Sequence, residues 1–216
     1  MKKQVVWVGL TFTIAVLISS ILTYRVMNRT VPVMDQWTAP VVADLDDSFI
    51  FLVFRWITEL GSGSFLTPLS IVMGIVLAMY YKNFLVGFFC ISGTILGYRV
   101  NHWIKLLVER ERPRILEAAE GQGYSFPSGH AMVALIGYGL LVYFFSRYVQ
   151  KESAKHWIRW FGAILILLIG ISRYIIRVHY LSDVIAGFAY GILFLIVWIG
   201  LYHLIASLQK RMYFSN

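Results

Sequence analysis

Six long apolar blocks, each nearly free of charged residues, restrict this chain to a helical membrane fold. The first block, residues 5–24, runs for twenty positions without a charge. At about 1.5 Å of rise per residue, a helix of that length crosses the roughly 30 Å hydrocarbon core of a bilayer. The other blocks are residues 65–81, 83–104, 130–147, 157–176 and 184–207. We therefore predict an all-α bundle of six transmembrane helices, forming one domain over residues 1–216.

The basic residues are distributed unevenly along this bundle. If the N-terminus is cytoplasmic, the cytoplasmic segments hold nine Lys and Arg residues and only one acid, Glu152, while the remaining bases and acids are equal in number. An excess of Lys and Arg marks the cytoplasmic side of a membrane protein. Both termini are thus predicted to be cytoplasmic, in a multi-pass protein of the plasma membrane. The net charge of +8 is explained by topology, and no nucleic-acid partner is expected.

The longest predicted loop, residues 25–64, contains an apolar pattern of its own. An acidic run is followed by apolar residues at helical spacing; the two sets are Asp44, Asp46 and Asp47, then Phe49, Val53, Trp56, Ile57 and Leu60. The stretch is too short to span a bilayer, and it ends at Gly61 and Gly63. We predict an interfacial helix in this external loop, either packed over the bundle or helping lipid to enter.

Three polar clusters fall on the same, external side of the six spans. They are "KLLVERERP" at 105–113, "YSFPSGHAM" at 124–132 and "SRYIIRVHYLSD" at 172–183. Taken singly, they are typical of a solvated loop edge, a helix entry and a structural histidine. Together they place several ionisable groups at one membrane boundary, where such groups are costly and tend to mark function. The fixed cations Lys105, Arg112 and Arg173 suit an anion with several oxygens, such as a phosphate.

The middle cluster also predicts an anion site made by the backbone. Pro127 stiffens the approach to a helix, Ser128 is suited to cap it, and Gly129 allows a ligand to come close. The first N–H groups of a helix have no partner within the helix, so they can bind a phosphate. We predict a phosphate cradle at Ser128 and Gly129, next to His130.

His179 and Asp183 suggest chemistry as well as binding. Their spacing of four residues predicts that both lie on one face of a helix, one turn apart. The carboxylate would then accept a hydrogen bond from one ring nitrogen and leave the lone pair of the other nitrogen available. An imidazole held in this way is a nucleophile with an orienting base.

The residues of these clusters resemble the three signature motifs of the type-2 phosphatidic acid phosphatases, a superfamily that includes the vanadium haloperoxidases. The motifs are Lys105-x6-Arg112-Pro113, Pro127-Ser128-Gly129-His130 and Ser172-Arg173-x5-His179-x3-Asp183. Every signature position matches, in the family's order and with its six-span layout.

The resemblance implies a role for each residue. His179 would attack phosphorus and form a phosphohistidine, Asp183 would hold its ring, and His130 would protonate the leaving oxygen. The phosphate oxygens would be held by Lys105, Arg112, Arg173 and the backbone at Ser128 and Gly129. No metal or other cofactor is expected. Three arginines outside the signatures, Arg110, Arg114 and Arg177, are predicted to contact lipid headgroups.

The substrate implied by the resemblance is a phosphorylated lipid that enters sideways from the bilayer. Undecaprenyl pyrophosphate and phosphatidylglycerophosphate are the two candidates, and the reaction would take place on the extracytoplasmic side. Two other functions remain open at this stage. A lipid phosphotransferase would use the same site with an alcohol as acceptor, and a non-enzymatic lipid transporter would use the cations but would not need the His179–Asp183 pair.

The predicted topology can be tested with reporters. Fusions after Asn216 should report a cytoplasmic C-terminus, because both termini lie on the side rich in Lys and Arg. Alkaline phosphatase fused there should be inactive, whereas a fluorescent protein should be bright. An active alkaline phosphatase at this position would contradict the prediction.

Overall fold

The computed structural model describes residues 2–43, 45, 48–113 and 123–214, and its long helices follow the predicted spans. The helices are α1 (Lys2–Met27), α2 (Val33–Ala43), α3 (Phe49–Ile57), α4 (Gly63–Tyr80), α5 (Phe84–Val108), α6 (Gly129–Tyr148), α7 (Glu152–Ile175) and α8 (Leu181–Phe214). In the described part of the chain, six of them are long and apolar enough to cross a membrane, over Val5–Met27, Gly63–Tyr80, Phe84–Val108, Gly129–Tyr148, Glu152–Ile175 and Leu181–Arg211. The six-helix prediction is confirmed.

Helix α6 is the centre of the bundle. It is the most buried of the six long helices, and it packs against α5, α7 and α8. Its inward residues form the middle of the core, among them Met132, Val133, Ile136, Leu140 and Phe144. Helix α4 packs on α5, and α1 packs on α8. Because α6 is surrounded in this way, its first turn is held between the ends of α5, α7 and α8.

The segment between α1 and α4 is more helical than the sequence predicts. Besides α3, which lies in the predicted interfacial stretch, it contains α2, for which no helix was predicted. Helix α3 begins after Ser48, whose Oγ accepts a hydrogen bond from the Phe51 N–H at 3.1 Å. It is followed by a 3-10 turn, Thr58–Gly61, that leads into α4. The acidic residues Asp44, Asp46 and Asp47 lie outside the described residues.

The apolar stripe predicted for α3 is divided in the structure. Phe49 and Trp56 are exposed, whereas Ile57 and Leu60 pack against the core of the bundle. Leu60 leaves the stripe because the α-helix gives way at Thr58 to a 3-10 turn. The change reduces the spacing from about 3.6 to about 3 residues per turn, so positions after Thr58 point in a new direction.

Helix α8 crosses the start of α6 at very short range. A Cβ placed on Gly187 would lie 2.6 Å from the carbonyl oxygen of Ser128 and 3.0 Å from the Cβ of Ala131. In addition, the Ser128 N–H donates to the carbonyl oxygen of Asp183 at 2.9 Å. The contact fixes the predicted phosphate cradle against the beginning of α8.

Replacing Gly187 should therefore loosen the packing between α8 and the start of α6. We expect Gly187→Ala to lower the thermal midpoint in detergent, with a destabilisation of about 1–3 kcal/mol, because the new methyl overlaps a backbone oxygen. Gly200→Ala is the matched control in the same helix, since nothing lies within 4 Å of its added Cβ. Equal midpoints for the two variants would contradict the close approach.

Candidate active site

The three signature clusters meet around one cavity at the end of the bundle where α5 and α7 end and α6 and α8 begin. The cavity has a volume of about 370 Å³. Six of the eight predicted site residues line it: Lys105, Arg112, Gly129, His130, Arg173 and His179. The wall is completed by Tyr98, His102, Leu106, Gly123 and Tyr124. Residues 74 positions apart in the chain are thus close enough to surround one ligand.

Lys105 reaches the cavity from the last turn of α5. The helix stops just after it, at Glu109, which has a left-handed φ of 52° and whose N–H donates to the Lys105 carbonyl at 2.9 Å. The Lys105 ammonium donates to the carbonyl oxygens of Tyr124 and Ser125, the latter at 3.5 Å. These bonds hold the second cluster over the end of α5.

Arg173 is the fixed cation of the last turn of α7. Its side chain is completely buried, and Nη1 donates to Thr58 Oγ1 at 2.8 Å. Its carbonyl oxygen accepts from the N–H groups of both Val178 and His179 at 3.2 Å. Arg173 therefore lines the cavity with its side chain and also shapes, with its backbone, the turn that carries His179.

His179 lies in the bend between α7 and α8 and not on a helix, so the prediction of a shared helical face was wrong. The chain leaves α7 at Ile175 and enters α8 only at Leu181. Asp183 is in the first turn of α8, and its Oδ2 accepts from the Tyr180 N–H at 2.9 Å. The spacing of four residues thus reflects a carboxylate that caps its own helix and reaches back to the preceding bend.

The hydrogen bonds of His179 define which ring nitrogen carries the proton. Arg112 Nη1 lies 3.0 Å from His179 Nε2. A guanidinium can only donate, so Nε2 must present its lone pair and the proton belongs on Nδ1. Nδ1 faces Asp183 Oδ2 at 3.4 Å and Ser125 Oγ at 3.3 Å. This is the tautomer required of a nucleophile whose lone pair points into the cavity.

Burial and three cations keep His179 neutral. Burial lowers the pKa of its imidazole well below 6.5, and the positive charges of Arg112, Lys105 and Arg173 lower this pKa further. The ring is therefore uncharged at neutral pH, and its Nε2 lone pair is available. An imidazolium would have no lone pair for an attack.

His130 lies in the first turn of α6 and is almost buried, with 8% of its surface exposed. Its ring packs against the 3-10 turn after α3: a Cβ on Gly61 would lie 3.1 Å from His130 Cδ2. Gly129, just before it, is equally confined, since a Cβ there would lie 3.0 Å from Asn101 Oδ1. The amide of Asn101 also donates to the Pro127 carbonyl at 3.4 Å. The first turn of α6 is thus held from two sides.

Ser128 caps α6 as predicted. Its Oγ accepts from the Ala131 N–H at 3.4 Å, and its own N–H donates to the backbone carbonyl oxygen of Asp183. Ser128 is fully buried and does not line the cavity, so its N–H is used inside the protein. The Ser128 N–H is therefore not part of the predicted phosphate cradle, whose backbone N–H groups can begin only at Gly129.

Asp183 is fully buried behind His179, and its carboxylate has several donors. Ser125 Oγ donates to Oδ2, and Arg110 Nη1 donates to Oδ1 at 2.5 Å. The prediction that Arg110 contacts lipid headgroups was therefore wrong: its guanidinium is drawn inward by buried carboxylates. Arg114 lies outside the described residues, and Arg177 donates to the Ala43 carbonyl at 3.4 Å.

Several residues at the site escaped the sequence analysis. They are Ser125, Asp35, Thr58 and Asn101. Ser125 lies inside the second cluster, where its hydroxyl could have been recognised as a partner for a nearby carboxylate. The other three belong to none of the three clusters, and only the fold places them here. In the described part of the chain, no group of three or more His, Cys, Asp or Glu side chains could hold a metal ion.

The cavity has the parts needed for phosphoryl transfer. Cations on three segments can neutralise a tetrahedral anion, the Nε2 lone pair can attack its central atom, and a second imidazole can deliver a proton. A simple anion-binding station would need the cations but not a histidine whose tautomer is set by a buried carboxylate.

Comparison with known proteins agrees with this geometry. Residues 84–206 match the family model of the PAP2 superfamily. Over 143 residues, the chain is 33% identical to phosphatidylglycerophosphatase B of Bacillus subtilis (strain 168). The aligned region covers 65% of this chain and 70% of that protein. The crystal structure of a transmembrane PAP2 type phosphatidylglycerolphosphate phosphatase from Bacillus subtilis superposes with a TM-score of 0.80 at 26% identity, covering 90% of this chain and 97% of the other.

Proposed function

Because this chain belongs to the PAP2 superfamily, we propose that it hydrolyses the terminal phosphate of a membrane lipid through a phosphohistidine intermediate. It is a multi-pass membrane phosphatase similar to phosphatidylglycerophosphatase B. The observation that carries the proposal is the His179 Nε2 lone pair, presented to the same cavity as Lys105, Arg112, Arg173 and His130.

Phosphatidylglycerophosphate is the preferred substrate candidate. The support comes from the B. subtilis relatives, whose names state that substrate. Undecaprenyl pyrophosphate is the second candidate and is suggested by the family resemblance alone. Both are lipids with a terminal phosphate, so they make the same demand on the cavity and differ in the group that leaves.

The first chemical step follows from the hydrogen bonds around His179. Arg112 Nη1 donates to Nε2 in the structure. It would move to a phosphate oxygen when substrate binds, because the attack on phosphorus needs the same Nε2 lone pair. Nε2 then attacks phosphorus, a P–N bond forms, and the bond from phosphorus to the lipid oxygen breaks. His130 would protonate that oxygen, since the negative charge of the phosphate favours the protonated imidazole.

The second step returns the site to its starting state. A water molecule gives a proton to His130 and adds its oxygen to phosphorus, the P–N bond breaks, and inorganic phosphate leaves. Lys105, Arg112 and Arg173 would stabilise the charge on the three equatorial oxygens in both steps. Asp183 would keep the proton on His179 Nδ1 throughout.

The orientation in the membrane is part of the proposal. The cavity lies at the ends of α5 and α7 and at the beginnings of α6 and α8, whereas the segments rich in Lys and Arg lie at the opposite ends of these helices. With both termini in the cytoplasm, the site faces the extracytoplasmic side.

The direct test is release of phosphate by the purified protein from a panel of lipid mono- and diphosphates, with glycerol phosphate as a soluble control. We expect inorganic phosphate from at least one lipid and none from the control. His179→Ala should abolish release, because the variant has no nucleophile. Retained turnover in His179→Ala would contradict the proposal, and so would a protein that releases no free phosphate and instead forms a phosphorylated alcohol when an alcohol acceptor is added.

His130→Ala separates the two substrate classes. A departing phosphate is a better leaving group than an alkoxide, so cleavage of a diphosphate needs less help from an acid. We expect His130→Ala to reduce kcat by about 100-fold or more on phosphatidylglycerophosphate and by clearly less on undecaprenyl pyrophosphate. Equal losses on both substrates would argue against His130 as the acid for the leaving group.

A further inference from the structure

A buried ion-pair network lies behind the catalytic residues, on the side away from the cavity. Asp35, from α2, has only 4% of its surface exposed. Its Oδ1 accepts from the Ser182 N–H at 2.9 Å, and its Oδ2 accepts from Ser182 Oγ at 2.6 Å and from Arg110 Nη2 at 2.7 Å. Asp35 therefore binds both the first turn of α8 and the guanidinium of Arg110.

Arg110 connects this carboxylate to that of Asp183. Nη1 donates to Asp183 Oδ1 at 2.5 Å and to Ser182 Oγ at 2.7 Å, while Nη2 is held by Asp35. The guanidinium also lies over the ring of Tyr180, with 3.9 Å between Cζ and the ring centroid. Its position is thus fixed by two carboxylates, one hydroxyl and one aromatic face.

The two oxygens of Asp183 consequently have separate partners. Oδ1 accepts from Arg110, whereas Oδ2 is left to Ser125, the Tyr180 N–H and His179 Nδ1. If Asp183 turned about its side-chain bonds, Oδ2 would move away from His179. We propose that Arg110 and Asp35 are positioning residues that hold the Asp183 carboxylate in the orientation that serves His179, an inference that rests on the proposed function.

Arg110 and the carboxylates that it binds need one another, because all of them are largely buried charges. A buried carboxylate without a partner is strongly unfavourable, and so is a buried guanidinium. Arg110 carries one positive charge between two negative ones, and the planar fork lets it bind both carboxylates at once. A lysine could supply the charge but not the two parallel donors.

The same arrangement makes the acid limb of the pH profile informative. His179 is faced by Lys105 from α5, His130 from α6, Arg173 from α7, Arg112 from the loop after α5 and Asp183 from α8. Arg110 offsets the charge of Asp183. Without Arg110, the full negative charge acts on His179 and raises the pKa of the imidazole. His179 must be neutral to attack. As the pH is lowered, the variant would therefore lose activity at a higher pH than the wild type.

The test compares Arg110→Gln, Asp35→Asn and the double variant with the wild type, using purified protein and phosphatidylglycerophosphate in detergent. We expect Arg110→Gln to lower kcat by about 10- to 100-fold with little change in KM, and to move the acid limb of kcat/KM upward by about one pH unit or more. Asp35→Asn should also lower kcat, but its acid limb should not move upward, because this change removes a negative charge. The double variant should have a kcat no lower than that of Arg110→Gln, because the two residues act as one unit.

Two further variants separate positioning from a purely structural effect. Arg110→Lys keeps the positive charge, so its acid limb should return towards that of the wild type while kcat recovers only in part. Arg147→Gln is the matched control. It removes a guanidinium that bonds to Tyr143 at 2.8 Å and lies over Tyr202, at the opposite end of α6. It should leave kcat and the pH profile unchanged.

These results test the positioning role of Arg110 and Asp35 separately from the proposed function. Folded Arg110→Gln with wild-type kcat and an unmoved acid limb would overturn it, while activity that still depends on His179 would leave the proposed function intact. If Arg110→Gln does not accumulate, Asp35→Asn tests the kcat prediction, because it keeps the size of the side chain and removes only its charge. A folded Asp35→Asn with wild-type kcat would then overturn the proposal. A wild-type protein that releases no phosphate would instead overturn the proposed function.

Discussion

The site depends on a single buried carboxylate, that of Asp183. Its Oδ2 lies beside His179, its Oδ1 binds Arg110, and its backbone carbonyl accepts the Ser128 N–H at 2.9 Å. Through these bonds one residue joins the loop after α5, the start of α6, the bend before α8 and α8 itself. A buried charge needs such partners, since it has lost its hydration. The need to satisfy this carboxylate therefore organises the residues that surround it.

Much of the architecture could be predicted from local patterns. A bilayer requires long apolar helices with internally satisfied backbones, so hydropathy alone located the six spans to within a few residues. The site residues were also recognisable, because their types and spacings recur in a known family. Six of them line one cavity, while Ser128 and Asp183 stand directly behind it.

The remaining features depend on contacts that no local pattern encodes. Asp35 is 147 residues from its partner Ser182, and α2, which carries it, has no long apolar run. The wrong role predicted for Arg110 has the same origin: a guanidinium near a membrane surface normally reaches for headgroups, and only the folded chain reveals two buried carboxylates within its reach. The spacing of His179 and Asp183 was equally misleading, since it suggested that both lie on one helix. A carboxylate in the first turn of a helix can cap that helix and also contact a residue in the bend before it, here His179.

The charges of the complete network explain why a phosphate suits this site better than a singly charged anion. The network contains four basic side chains, Lys105, Arg110, Arg112 and Arg173, and two carboxylates, Asp35 and Asp183. When Lys105 is protonated, two positive charges are therefore left without a compensating carboxylate in this network. A phosphate monoester carries about 1.5 to 2 negative charges at neutral pH, which matches that excess. Arg110 is already engaged by the carboxylates behind His179, so the compensating charge is needed in front of it, within reach of Nε2.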